Sequence, residues 1–516
     1  DLTVSQTMKI SDIQLIIPFY KKAVPFLMGM GERGGYRPES IDWKWDVKRN
    51  QDGLWIGDVN CGLQVSFRDT NYVRPLNTNF YQLKPLKLPP SWYNQGKGGF
   101  RLRTEDDIVR LTAYSGSRTL VAGDTLHFYF RLLLTPFKLL DTKKHFKNRY
   151  YHRYEPVDEI KKEGANIINV HHATRINPFI NYPFLRPEMM KAYIDSAHSR
   201  DMKVKIYYTV RELTNRAAEL FALFSLGHEI IAPGKGGGFA WLQEHLEQDY
   251  IAGWLVPRLR DAAVINSGTS RWHNYYLEGL NWLVEHVGID GLYIDDVAFD
   301  RTVMKRVRKI LSRGRPQALI DLHSANQYNP RDGHAVSANL YLEHFPYLDR
   351  LWFGEYFDYS KSADFWLVEV SGIPFGLMGE MLQDGGNPWR GMVFGMTSRK
   401  PWAGDPSPLW KIWDDFDITE SEMIGYWAVK SPVCCSTKDV LITCYKKDKS
   451  VLLALASWAD EDVWISLDID FRALGLDPHQ VHLRAPAIRD FQEEAMFNPD
   501  DKILILKDKG RLIVVE

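Results

Sequence analysis

Between Phe146 and about Tyr426 the chain alternates short apolar runs with amphipathic segments of helical period. No other feature constrains the fold as tightly. "GANIINVHH" (164–172) reads as a buried strand. "RPEMMKAYIDSAHSR" follows, with Pro187 in a first helical turn and Met190, Tyr193, Ile194 and Ala197 at helical spacing. "MKVKIYYTVRE" (202–212) is the next strand. "SRWHNYYLEGLNWLVEHVG" sets Leu277, Leu280, Leu283 and Val284 on one face and leads into "DGLYIDD". Asp300 then caps a helix with Val303, Met304, Val307, Ile310 and Leu311 inward. "QALIDLHSAN", "RLWFGEYF", "FWLVEVSG" and "GMVFGMT" read as later strands, and "LGHEIIAPGKGGGFAWLQEHL" as an insertion in an upper loop. Such alternation predicts parallel βα units closed into a (β/α)8 barrel, typically ~250 residues before insertions. A doubly wound open sheet is the alternative, although no glycine-rich phosphate-binding sequence opens a helix.

The flanks lack this rhythm. Residues 1–145 hold short apolar or alternating runs such as "DIQLIIPF", "GLWIGDV" and "DIVRLTAYSG", separated by Gly, Pro, Asn and Asp, as in a β-sandwich. Residues 426–516 hold "VLITCYKK", "SVLLALASW" and "RLIVVE", as in a small all-β domain. The barrel is thus expected at 146–425. A net charge of −1 with no basic or acidic block argues against a nucleic-acid partner. No 18-residue apolar run is present, so no membrane insertion is expected. The four cysteines form no CxxC pair and no Cys/His metal spacing. A Cys435–Cys444 bridge is one reading and reduced thiols the favoured one.

Carboxylates collect where barrel strands should end, at the face that carries catalytic groups in this fold. Asp295 closes "GLYID", Asp321 lies in "LIDLH", Glu355 closes "LWFGE", Glu369 lies in "LVEV" and Glu212 closes "YYTVRE". Glu343 and Glu380 lie on connecting segments. Asp290 and Asp300 fit a turn and a helix cap. Asp295 and Asp296 fit such roles less well: neighbours on a strand point to opposite faces, so one must face the barrel axis. An inward carboxylate costs energy unless paired or functional. Cleavage of a glycosidic bond explains the set, because it needs one carboxylic acid and one carboxylate and no cofactor. Their separation, ~5–5.5 Å or ~6.5–9.5 Å, distinguishes retention from inversion. His171, His172, Asn177, Arg211, Asp321, His323 and Asn326 are candidates to hold sugar hydroxyls. Tyr207, Tyr293, Trp352 and Trp389 are candidates to stack on sugar rings.

"DGLYIDD" resembles the strand of retaining barrel glycosidases of the α-amylase and α-glucosidase type. That match implies Asp295 as nucleophile and, on a later strand, Glu355 as acid/base, with Asp296 orienting Asp295 and Glu343 as rival to Glu355. A sandwich ending in "FRLLLTPFK", then a barrel, then a small β domain, with "LIDLHSANQ", is similar to the glycosidases around family 123, the N-acetylgalactosaminidase group. The resemblance implies a periplasmic or secreted enzyme acting on an oligo- or polysaccharide. That family uses an adjacent Asp-Glu pair, in which Asp steadies the substrate's acetamido group. The nearest equivalent here is Asp295-Asp296.

Two other readings share these residues. A metal-dependent hydrolase would use His171, His172, Asp295, Asp321 and His323. Adjacent histidines on one strand point opposite ways, so only one would reach a central ion. A non-catalytic carbohydrate-binding protein would need the aromatics but not the strand-end acids.

Overall fold

The computed structural model describes residues 1–45, 52–67, 88–266, 270–295, 297, 299–323, 342–353, 358–381 and 386–516. Seven parallel strands pair in chain order: β1 (Tyr150–Tyr151), β2 (Ile167–Val170), β3 (Lys203–Tyr207), β4 (Gly291–Asp295), β5 (Leu319–His323), β6 (Arg350–Phe353) and β7 (Gly379–Met381). Segment 397–400 closes the ring, since Ser398 bridges to Met381 and Lys400 to Tyr151, both in parallel. The Lys400 N–H donates to the Tyr150 carbonyl at 3.2 Å, and the Met381 N–H to the Thr397 carbonyl at 3.0 Å. No edge is left between β7 and β1.

Amphipathic helices cover the outside, as the periodicity predicts. Helix α1 (Pro187–His198) starts on its proline and buries Met190, Ile194 and Ala197. Helix α2 (Trp272–Trp282) runs on into a wider turn, Leu283–Val287. Helix α3 (Arg301–Gly314) is capped by the Asp300 side chain, which accepts the Val303 N–H at 2.9 Å. The insertion between β3 and α2 forms an antiparallel sheet of Glu212–Thr214, Asp261–Ile265 and Ala252–Val256.

Two expected strands are helical. "FWLVEVSG" is a helix, Ala363–Phe365 continuing as Trp366–Val370, and "GMVFGMT" overlaps α4 (Pro388–Val393). In the first, Trp366 to Val370 are all buried, so no polar alternation distinguishes the two periods. In the second, Asn387 caps the helix by accepting the Arg390 N–H at 3.0 Å, with Pro388 at its first position. The third barrel strand also ends earlier than expected, at Tyr207, so Glu212 opens the insertion sheet.

The sandwich packs a four-stranded antiparallel sheet on a five-stranded one around Leu54, Ile56, Val65, Phe100 and Leu111. The C-terminal domain is built on a six-stranded sheet. All four cysteines are free thiols. Among the described residues no helix is long and apolar enough to cross a membrane.

The barrel is filled with charge. Alternation along the strands turns Lys205, Asp321, Arg350, Glu380 and Arg399 inward, each almost fully buried. Lys205 pairs with Asp321, and Arg399 lies 2.9 Å from the same carboxylate oxygen. Arg399 Nε meets Glu380 at 2.5 Å and Arg350 meets it at 2.8 Å. The Tyr150 ring packs against all three cations, at 4.3–4.7 Å.

A further buried carboxylate, Glu369, ties the sandwich to the barrel. Its edge strand, Glu32–Tyr36, presents the Gly34 N–H to Glu369 and the Tyr36 N–H to Asp364 at 2.8 Å. A Cβ at Gly34 would collide with the Glu369 side chain, which explains the glycine. Burial pushes the Glu369 carboxyl up to about 8, against the pull of the Gly34 N–H and Arg33. Between pH 4.5 and about 8 the native state therefore holds a proton that the unfolded chain has released, and stability falls as pH rises through that window. Glu369→Gln keeps an acceptor oxygen and should flatten the fall of Tm across this range. An unchanged slope would contradict the assignment.

Candidate active site

Above the ionic layer, the C-terminal ends of the strands converge on Asp295, the last residue of β4. Its Oδ2 lies 3.1 Å from Arg211 Nη2 and accepts the Tyr207 hydroxyl at 3.2 Å. Its Oδ1 lies 3.3 Å from His323 Nδ1, and that nitrogen is 2.7 Å from the Tyr293 hydroxyl. Register explains the meeting: Asp295 pairs with His323, and Tyr207 with Tyr293, across adjacent strands. Arg211 also grips Glu212, through Nε at 2.6 Å and Nη2 at 3.1 Å. The guanidinium thus sits between two carboxylates, and Tyr207 bridges the same two.

Electrostatics fix the ionisation of this group. Burial pushes the Asp295 carboxyl up, but Arg211, His323 and His171 together outweigh it and hold the carboxyl far below the usual range. Glu212 moves the other way: its burial outweighs the pull of Arg211. Burial lowers His171 to about 4, even with Asp295 near, and His172 to about 3, with His171 adding to the effect. Both imidazoles are therefore neutral at pH 7. Asp295 is 9% exposed, so its carboxylate is nearly withdrawn from solvent.

Rings pack around this carboxylate, most of them buried. His171 packs on Tyr207 at 4.5 Å and on His172 at 4.2 Å, and Trp352 packs on His323 at 5.1 Å and on Tyr293 at 5.7 Å. Asn177 is buried behind Tyr207, and its amide donates to the Tyr207 carbonyl at 3.4 Å. His171, His172, Asn177, Tyr207, Arg211, Tyr293, Asp295, His323 and Trp352 are thus brought together. Asp321 is not at the mouth: it is fully buried one layer down, neutralised by Lys205 and Arg399. Trp389 is elsewhere too, stacked on Phe491 of the C-terminal domain at 4.6 Å. Glu343 meets Arg131 of the sandwich at 3.5 Å. Glu369 serves the sandwich contact and Glu380 the ionic layer. Asp296, Asn326 and Glu355 lie outside the described residues. Among those described, no three His, Cys, Asp or Glu side chains group as metal ligands.

Two residues join the mouth without a signal in the sequence. His152 follows a two-residue strand, too short for any period, yet its ring contacts Tyr293 and Trp352, each at 4.7 Å. Trp402, in "KPWAGDP", stands 61% exposed at the rim, 5.7 Å from His152.

A closed parallel barrel whose strand ends gather an ionised carboxylate, neutral imidazoles and aromatic rings has its candidate site on the face where barrel enzymes carry their catalytic groups. The chain belongs to glycoside hydrolase family 123: its TIM-barrel domain matches residues 141–401, its third domain 1–136 and its C-terminal domain 405–516. No curated protein sequence matches the chain. Solved structures that the chain matches include an α-amylase from Geobacillus thermoleovorans complexed with acarbose (12% identity, 73% of this chain and 99% of that one, TM-score 0.44). An α-galactosidase from Lactobacillus brevis is another (11% identity, 97% and 74%, TM-score 0.47). At that level the likeness bears on neither substrate nor mechanism.

Replacing Arg211 by Gln removes the cation shared by Asp295 and Glu212. The Asp295 pKa should rise, and the acidic limb of the kcat/KM–pH profile should move to higher pH. Leaving buried carboxylates unpaired should also cost ~3–5 kcal/mol of stability. An acidic limb that stays in place would show that Arg211 does not set the ionisation.

Proposed function

We propose that this glycoside hydrolase cleaves an oligo- or polysaccharide with two carboxylates, and that Asp295 is the ionised one. The observation that carries the reading is the environment of Asp295 at the C-terminal end of β4. Arg211, Tyr207 and His323 surround a carboxylate kept unprotonated in a nearly dry site. A group so held is suited to act as nucleophile or to stabilise positive charge at the anomeric carbon, and unsuited to donate a proton. The acid must come from elsewhere. Glu355, two residues beyond β6, is the proposed donor, with Asp296 orienting Asp295. Glu343 is the weaker candidate, because its carboxylate meets Arg131.

The remaining residues of the mouth receive the sugar. Neutral His171 and His172 can donate or accept toward hydroxyls, and Trp402, exposed at the rim, offers a ring face to C–H surfaces, while Tyr293 and Trp352 are almost fully buried and form the floor beneath the sugar. Trp352 is itself backed by Arg399 at 4.5 Å, which fixes its ring.

Single variants Asp295→Asn, Asp296→Asn, Glu343→Gln and Glu355→Gln separate these roles. Loss of an acid–base group should lower kcat by ~10²–10⁴ on natural glycans, and much less on glycosides with a good leaving group. Asp295→Asn should lose at least as much on both. Near wild-type turnover by both Asp295→Asn and Glu355→Gln would refute the mechanism.

A further inference from the structure

A cavity lies where the end of β7, segment 397–400 and the residues after it meet the C-terminal domain. It encloses about 290 Å3, close to the lower edge of the ~300–1,000 Å3 of ligand pockets. Met381, Pro388, Gly404, Pro406, Arg489 and Phe491 are among the residues that line it. The Phe491 ring is held rigidly, stacked on Trp389 at 4.6 Å and 15°, with Lys509 over the far indole at 5.8 Å. Charges of both signs border the space. Asp405 is pinned between Lys400 and Arg489, each at 3.0 Å, and Asp490 lies beside them.

These walls have the chemistry of a sugar site. A fixed aromatic ring and prolines offer apolar surface to the C–H face of a pyranose. The Asp405–Arg489 pair offers acceptors and donors together, which matches hydroxyl groups and disfavours a ligand carrying net charge. The cavity is also continuous with the main site along the chain: Trp402, in ring contact with His152, stands two residues before Gly404.

We propose that this cavity is a distal subsite, shared by the barrel and the C-terminal domain, that holds an uncharged sugar residue of the same glycan that is cleaved at Asp295. The proposal rests on the reading of the Asp295 mouth as the point of cleavage. It gives the C-terminal domain a part in substrate selection and makes the enzyme prefer chains over single glycosides.

The test compares full-length wild type with Phe491→Ala on a short and a long probe: 4-nitrophenyl N-acetylgalactosaminides of both anomers, and tetrasaccharides ending in the same sugar. Loss of one aromatic contact should lower kcat/KM on a tetrasaccharide about 3- to 10-fold, through KM, with the short probe little changed. Equal loss on both probes, or none on either, overturns the subsite. Arg489→Ala, at an exposed position, should show the same selectivity and serves if removal of the Phe491 ring loosens the domain. A binding arm needs no turnover. Saturation-transfer NMR of the tetrasaccharides on Asp295→Asn should show contact to distal sugars that Phe491→Ala abolishes. Absence of that distal contact, or of any tetrasaccharide binding, also overturns the proposal. If Asp295→Asn instead turns over substrate like wild type, the reading of the main site fails, and the distal contact still decides the subsite.

Discussion

Three cations and two carboxylates buried inside the barrel are the constraint on which the rest depends. Lys205, Arg350 and Arg399 face Asp321 and Glu380, with none of the five side chains more than 5% exposed. Taking such groups out of water costs several kcal/mol each, and only their mutual pairing offsets it. The arrangement therefore admits one strand register. A slip of one residue on any of the contributing strands would send its charge to the apolar layer under the helices. Burial lowers the Lys205 ammonium to about 8 even beside Asp321.

The ionic layer also sets the floor of the site. Trp352 rests on Arg399, His323 and Tyr293 pack on Trp352, and Asp295 meets His323. A chain of contacts thus runs from the charged interior to the carboxylate at the mouth. Arg211 does not belong to a barrel strand; it reaches in from the start of the insertion, where Glu212 shares its guanidinium. The insertion is thereby coupled to the ionisation of Asp295, so its first residues help make the candidate site.

Much of this was legible in the sequence, for physical reasons. Long amphipathic segments with clear caps, such as Asp300 before α3 and Pro187 opening α1, announce themselves by period and end chemistry. The strand-end position of Asp295 and the neighbouring aromatics follow from alternation on "GLYID" and "KIYY". What failed were runs buried on all sides. Trp366–Val370 is buried throughout, so helix and strand look alike, and Glu369 reads from the sequence as a strand-end acid. Inward acids are also ambiguous from sequence alone: Asp321 and Asp295 sit at similar places on adjacent strands, and only the three-dimensional neighbours show that one is neutralised by Lys205 and Arg399 while the other faces the mouth. His152 and Trp402 lie on segments too short or too irregular for any period.

The central claim is that Asp295 is held as a carboxylate by the cation and hydroxyl donors around it. Difference infrared spectroscopy of wild type against Asp295→Asn, followed as pH is lowered, isolates that one carboxyl. The account predicts that its carboxylate band persists until the protein unfolds in acid. A protonation step in the folded protein near the ordinary aspartate value of 3.8 would contradict it.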